Sequence, residues 1–142
     1  MTMPGTLLHR ASKTAFRHME AAFAKHGLPY SHWMALSLIV ENHAKTASAV
    51  ADCMGFYPRA ATRLLDRLER DGLLTRSRDQ GDRRIVNVRL AKAGITAVER
   101  GRPLAARRWS ELLAGFSRDE VDFLTNMLRG VVVRAGGADN PI

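Results

Sequence analysis

Apolar residues recur at helical spacing along most of the chain. Leu8, Ala11, Ala15, Met19, Ala22 and Phe23 return every three or four positions and predict a helix over residues 6–25. Gly27 and Pro29 stop it, and Ser31 starts a second helix over 33–41. A short third helix, 46–54, closes at Gly55. Pro58 suits the first position of a fourth, 58–71, because an N–H there would be unpaired anyway. Gly72 supplies its left-handed stop. The period then drops to two. Residues 73–78 and 85–90 read as strands, with Val86, Val88 and Leu90 alternating onto one face. Asp79-Gln80-Gly81-Asp82 between them has turn chemistry, so the pair is a hairpin. Helical spacing returns over 91–116, where Pro103 predicts a kink or break near Arg102. Ser117-Arg118-Asp119-Glu120 is a capping box. It opens a last helix with Val121, Leu124, Leu128, Val131 and Val132 on one stripe, and 136–141 reads as a frayed tail.

Three compact helices followed by a two-stranded hairpin describe a winged helix-turn-helix. The expected architecture is therefore one domain, mainly α with a small β-hairpin wing. The winged unit covers about 31–90, and the helices over 6–25 and 92–135 are surplus to it. Their apolar stripes need a cover, and a second copy of the chain is the simplest one, giving a homodimer.

Composition narrows the class. The chain has 142 residues and 46% apolar content, enough for a globular core. The longest apolar run, 33–40, is broken by Ser37 and falls far short of the roughly 20 residues of a membrane span. The start of the chain has no basic region followed by an apolar run, so no secretory signal is expected. A single cysteine, Cys53, excludes an internal disulfide framework and any zinc site built on two cysteines. The expected location is a reducing cytoplasm, on the nucleoid.

Charge gives the first positive indication. The net charge is +8, and 18 of the 22 basic residues are Arg. Nucleic acid becomes a natural partner class, because Arg grips phosphates and base edges bidentately. Position sharpens this. In the fourth helix Ala61, Leu64, Leu65 and Leu68 form one side, while Arg59, Arg63, Asp66 and Arg70 lie opposite. Its first turns carry only small or Arg side chains, so that end can approach a groove closely. Arg59, Thr62 and Arg63 stand where such helices read base edges. The hairpin adds Arg76, Arg78, Arg83, Arg84 and Arg89, with Arg83 and Arg84 just after the glycine-containing tip. An arginine there suits a narrow minor groove.

These segments resemble a known family. Residues 65–76, LDRLERDGLLTR, followed by 79–94, DQGDRRIVNVRLAKAG, are similar to the signature of the MarR family of bacterial winged-helix transcription regulators. The likeness extends upstream through 28–36, with an aromatic at Trp33, and 46–55. It implies a homodimeric repressor on an inverted-repeat operator in double-stranded DNA. It implies that Arg84 is the wing arginine of the minor groove and Asp82 the turn acid before it. It also implies that Asp66 pairs with that wing arginine and ties wing to recognition helix. Arg59, Thr62 and Arg63 match recognition-helix positions. The chain departs from the pattern at Tyr57, where a Ser or Thr cap is usual and which becomes a candidate phosphate contact. It departs again at Ala91, in place of the usual Thr, and at Pro103.

Family members commonly bind small aromatic or phenolic anions between the dimer helices and the DNA-binding lobe. The matching region here offers Arg10, Tyr30, His32 and Trp33. Against this stands the reading in which Trp33 is core and His32 is surface. No catalytic motif, phosphate loop or cofactor signature is present, so no enzymatic activity, cofactor or metal is expected. His9, His18, His26, His32 and His43 follow no tight ligand spacing. Cys53 reads as a packed thiol, with a redox-responsive regulator as the alternative. Two other readings differ in class. One is an effector-binding protein or enzyme that kept the fold without DNA binding; the other is an architectural DNA binder with no sequence preference.

Overall fold

The computed structural model describes residues 3–137. Helix α1 (Pro4–Phe23) begins on a proline and winds into a tight turn, Ala24–His26, before Gly27 reverses the chain at φ 74°. Helix α2 (Tyr30–Val40) starts one residue before Ser31, and no side chain of its own segment caps it. Glu20 of α1 supplies the acceptor instead. Its two carboxylate oxygens take the N–H groups of Tyr30 and Ser31, each at 3.1 Å. A carboxylate fits there because free N–H groups and the helix dipole converge on that end.

Helix α3 (Ala47–Met54) is capped by Thr46, whose hydroxyl accepts from the Ala49 N–H. Helix α4 (Pro58–Arg70) follows after a short turn, with Pro58 at its start as expected. Strands β1 (Leu74–Arg78) and β2 (Val86–Leu90) pair antiparallel, with Arg76 opposite Val88 and Arg78 opposite Val86. The segment before α3 adds a rudimentary third edge, through the Val88 N–H to Lys45 C=O bond and a bridge between Thr46 and Asn87.

Two apolar clusters hold these pieces. The first joins α2, α3, α4 and the hairpin through Leu36, Val50, Leu65, Leu68, Leu74 and Val88. The second joins α1, α2 and helix α5 (Lys92–Leu112) through Met19, Phe23, Tyr30 and Leu104. Met19 is fully buried inside its own chain. That part of the first helix's stripe is therefore used locally, whereas Leu7 and Leu8 remain exposed.

Three expectations need correction. Ser31 does not start α2, because Glu20 does the capping. The break near Arg102 is absent: α5 runs continuously through Pro103. Packing on both sides of the proline keeps the helix unbroken, with Val98 buried before it and Leu104 and Ala105 after it. The Trp33 indole N–H also donates to the Val98 carbonyl at 3.1 Å. Finally, α5 stops at Leu112 rather than 116, and Gly115 turns the chain at φ 95°. Helix α6 (Arg118–Arg134) then begins with the expected capping box. None of its residues is buried, and Phe123, Leu124, Met127, Leu128, Val131 and Val132 stand exposed. Of the expected frayed tail, 138–141 lies outside the described residues.

Gly101 is the tightest helix contact in the second cluster. A Cβ there would overlap the Trp33 indole at Nε1 and Cδ1. An open helix glycine gains about 1 kcal/mol on replacement by Ala, but overpacking a rigid ring costs about 1–3 kcal/mol. Gly101→Ala should therefore lower stability in urea denaturation by up to about 2 kcal/mol; a gain would show that α5 is not held against Trp33.

Candidate nucleic-acid interface

The interface is assembled from α4 and the hairpin. Ala61, Leu64, Leu65 and Leu68 bury one side of α4, which leaves Arg59, Thr62, Arg63, Arg67 and Arg70 exposed. The Thr62 hydroxyl donates back to the Pro58 carbonyl at 2.9 Å, so its methyl and a lone pair remain for other contacts. Tyr57 caps the helix geometrically without a side-chain bond and is 86% exposed. The first N–H groups of α4, from Arg59 on, thus have no side-chain acceptor at the cap position.

The tip of the hairpin is tied by two carboxylates. Asp79 accepts the N–H groups of Gly81 and Asp82 through one oxygen, at 3.0 and 3.1 Å, and the Asn87 amide through the other, at 3.1 Å. The Asn87 bond, followed by the two backbone bonds, holds the Asp79 carboxyl below its ordinary range. Asp82 then grips Arg84 bidentately, at 3.1 Å to Nε and 3.0 Å to Nη2, and accepts the Arg84 N–H as well. The Arg84 bonds likewise lower the Asp82 carboxyl. The Arg84 side chain is 91% exposed, so the pair aims a guanidinium outward from the tip. Arg83 is exposed beside it, and its carbonyl accepts from Arg78 at 2.7 Å.

The expected tie between Asp66 and Arg84 is not formed. Asp66 pairs with Arg76 of β1 at 2.6 Å, and Arg84 is satisfied within the tip by Asp82. Glu69 completes the cluster, accepting both the Arg76 N–H at 2.9 Å and its Nη2 at 3.1 Å. The side-chain bond to Arg76, then the backbone bond, pulls the Glu69 carboxyl down. Arg76 and Glu69 were absent from the sequence-derived site, although the alternation carried a signal. Leu74 is buried, so Arg76, two residues on, shares its face and looks toward α4.

The four effector candidates are placed apart in character. Tyr30 is buried, stacked on Trp33 at 6.0 Å and edge-on to Phe16 at 5.6 Å. Burial raises its hydroxyl pKa. Trp33 is half-buried against α5. His32 is half-buried too, and burial lowers its pKa. Arg10 is exposed on α1, about two turns before Phe16. Cys53 is half-buried, its Sγ 3.8 Å from the His43 carbonyl. Among the described residues no three His, Cys, Asp or Glu side chains group as metal ligands, and no helix is long and apolar enough to cross a membrane.

Comparison with known proteins agrees with this geometry. The sequence profile described as MarR family matches residues 26–85. The HTH-type transcriptional regulator MhqR of Bacillus subtilis is 27% identical over 129 residues, 91% of this chain and 89% of that one. The crystal structure of a mutant MarR from E. coli complexed with operator DNA superposes with a TM-score of 0.76 at 24% identity, covering 90% and 92% of the two chains. That of BpsR from Bordetella bronchiseptica, described for regulation of its DNA binding by 6-hydroxynicotinic acid, gives 0.77 at 24% identity over 89% and 96%. The chain is similar to the MarR family of winged helix-turn-helix transcription regulators and has their fold.

The Glu69–Arg76 contact has a defined pH signature. A carboxyl depressed by folding contributes stability above its ordinary value and loses that contribution as pH falls through the folded value. The Arg76 amide signal in NMR should therefore titrate below the ordinary glutamate range, and Glu69→Gln should abolish that step. A titration at the ordinary value would mean that strand and helix are not joined there.

Proposed function

We propose that the chain is a homodimeric, sequence-specific repressor of double-stranded DNA, working on the nucleoid in the cytoplasm. The observation that carries this is the alignment of two arginine groups on one clamped unit. Arg59 and Arg63 open the exposed face of α4, and Arg84 is held outward at the hairpin tip that Arg76 ties to the same helix. Base edges and an adjacent minor groove are the two features of a duplex that such a pair reads together. Tyr57 and Arg83 flank these groups as phosphate contacts, and Asp82 and Asp66 position them. The operator complex of the E. coli neighbour supports DNA as the partner.

In this reading residues 31–90 form the DNA-binding lobe, and 6–25 and 92–135 form the dimer arms. The exposed apolar face of α6 supports a second copy as its cover. The regulation named for BpsR supports release by a small aromatic or phenolic anion. Its place would be beside Arg10, Tyr30, His32 and Trp33, where α1 and α2 meet α5.

Selection of binding sites from random duplexes tests this. A two-fold dimer should enrich an inverted repeat with half-sites about one helical turn apart. Arg63→Ala should cost roughly 1–3 kcal/mol and relax preference at particular base pairs. Arg70→Ala should weaken all sequences alike or change nothing. Arg84→Ala should weaken binding and flatten its salt dependence. Binding without enrichment would make the chain an architectural protein; no binding would make it an effector-binding protein on this fold.

A further inference from the structure

A groove of about 730 Å³ lies on the side of the hairpin away from α4, outside the interface described above. Its walls are the end of α2, the loop to α3, the hairpin and the first turn of α5. The hairpin contributes Thr75, Ser77, Asn87 and Arg89, which alternate with Arg76 and so stand opposite the face that meets α4. Ile39, Val40 and Ile95 form an apolar floor, and Ile95 is 45% exposed. Lys45 and Arg89 bring two cations to the walls. Both are exposed, and neither has an acidic partner among the described residues. The volume lies within the range of small-molecule sites.

We propose that this groove binds a small amphipathic carboxylate and that occupancy is passed to the hairpin tip through Asn87. Charge complementarity selects the anion, since two unpaired cations border a hydrocarbon floor that a chain or ring can cover. Asn87 is the link. Its side chain lines the groove, and its amide nitrogen also donates to Asp79 Oδ1. Asp79 holds the Gly81 and Asp82 N–H groups, and Asp82 holds Arg84. A carboxylate seated on Lys45 and Arg89 accepts from the second N–H of the same amide and turns Asn87 toward the groove, which weakens its bond to Asp79. The tip that orients Arg84 then loosens, and operator affinity falls. This last step rests on the DNA reading above; the binding step does not.

Octanoate is the probe, with octanamide as its uncharged counterpart, titrated into the full-length protein by calorimetry and NMR. Octanoate should shift the Asn87 side-chain amide and the Ile95 methyl signals, and octanamide should bind about tenfold more weakly. Lys45→Ala/Arg89→Ala should weaken octanoate binding at least about tenfold while leaving the circular dichroism spectrum unchanged. Saturating octanoate should lower operator affinity several-fold in the parent and not in this variant. Equal binding by octanamide, unchanged binding by the variant, or shifts at Tyr30 and Trp33 in place of Asn87 would overturn the proposal. So would a variant that loses operator affinity when the parent binds no octanoate, since the two cations would then be phosphate contacts. Octanoate binding at Asn87 in a protein that binds no DNA would keep the site and remove only the DNA reading.

Discussion

One arginine joins the helix and the hairpin that make up the candidate interface of this protein. Arg76 stands in the middle of β1 and reaches two acids a turn apart on α4, while its own N–H binds one of them. Two charge-assisted bonds meet on a side chain only 22% exposed, and a third comes from the backbone N–H of the same residue. Such bonds are shorter and stronger than neutral ones, and partial burial shields them from salt. A free surface ion pair is worth about 0–1 kcal/mol and would not hold a hairpin in place. Here the apolar contact of Leu74 and Val88 brings the hairpin to the core, and the Arg76 cluster sets how it lies against α4.

Once the hairpin is oriented, its tip becomes a matter of local satisfaction. Asp79 uses both oxygens on the turn, and Asp82 uses both on Arg84. The guanidinium is thus pre-aimed, which lowers the entropy cost of any contact it makes. The neighbouring carboxylate also partly offsets its charge. Arg84 has no tie to α4 of its own; its relation to the helix passes through β1 and Arg76.

The elements were legible in the sequence because each has a local cause. Proline and glycine punctuate α4, Ser117 and Glu120 cap α6, and alternation marks β2. The early end of α5 at the Gly115 turn is local, and the other failures are tertiary. No local pattern announces that Glu20 will cap α2 from another helix, or that packing around Pro103 will keep α5 whole. The partner of Asp66 was misassigned for a related reason. Family likeness pointed to the wing arginine at the tip, whereas proximity to β1 and the local acid Asp82 decide the pairing. The exposure of the basic positions of α4 and the tip was readable because helical spacing assigns the opposite side of α4 to the core and the turn chemistry places the tip at the surface. The role of Tyr30 and Trp33 was not resolved by spacing, since they recur as a core stripe would.

In the proposed function Arg76 acts on DNA binding by position and not by contact. The affinity of Arg76→Gln for a selected operator across a salt series, measured beside its thermal unfolding, tests this. Affinity should fall by about tenfold, near 1.4 kcal/mol, with an unchanged salt slope and a small shift in Tm. Unchanged affinity would contradict it, and so would a flatter salt slope, which would make Arg76 a phosphate contact.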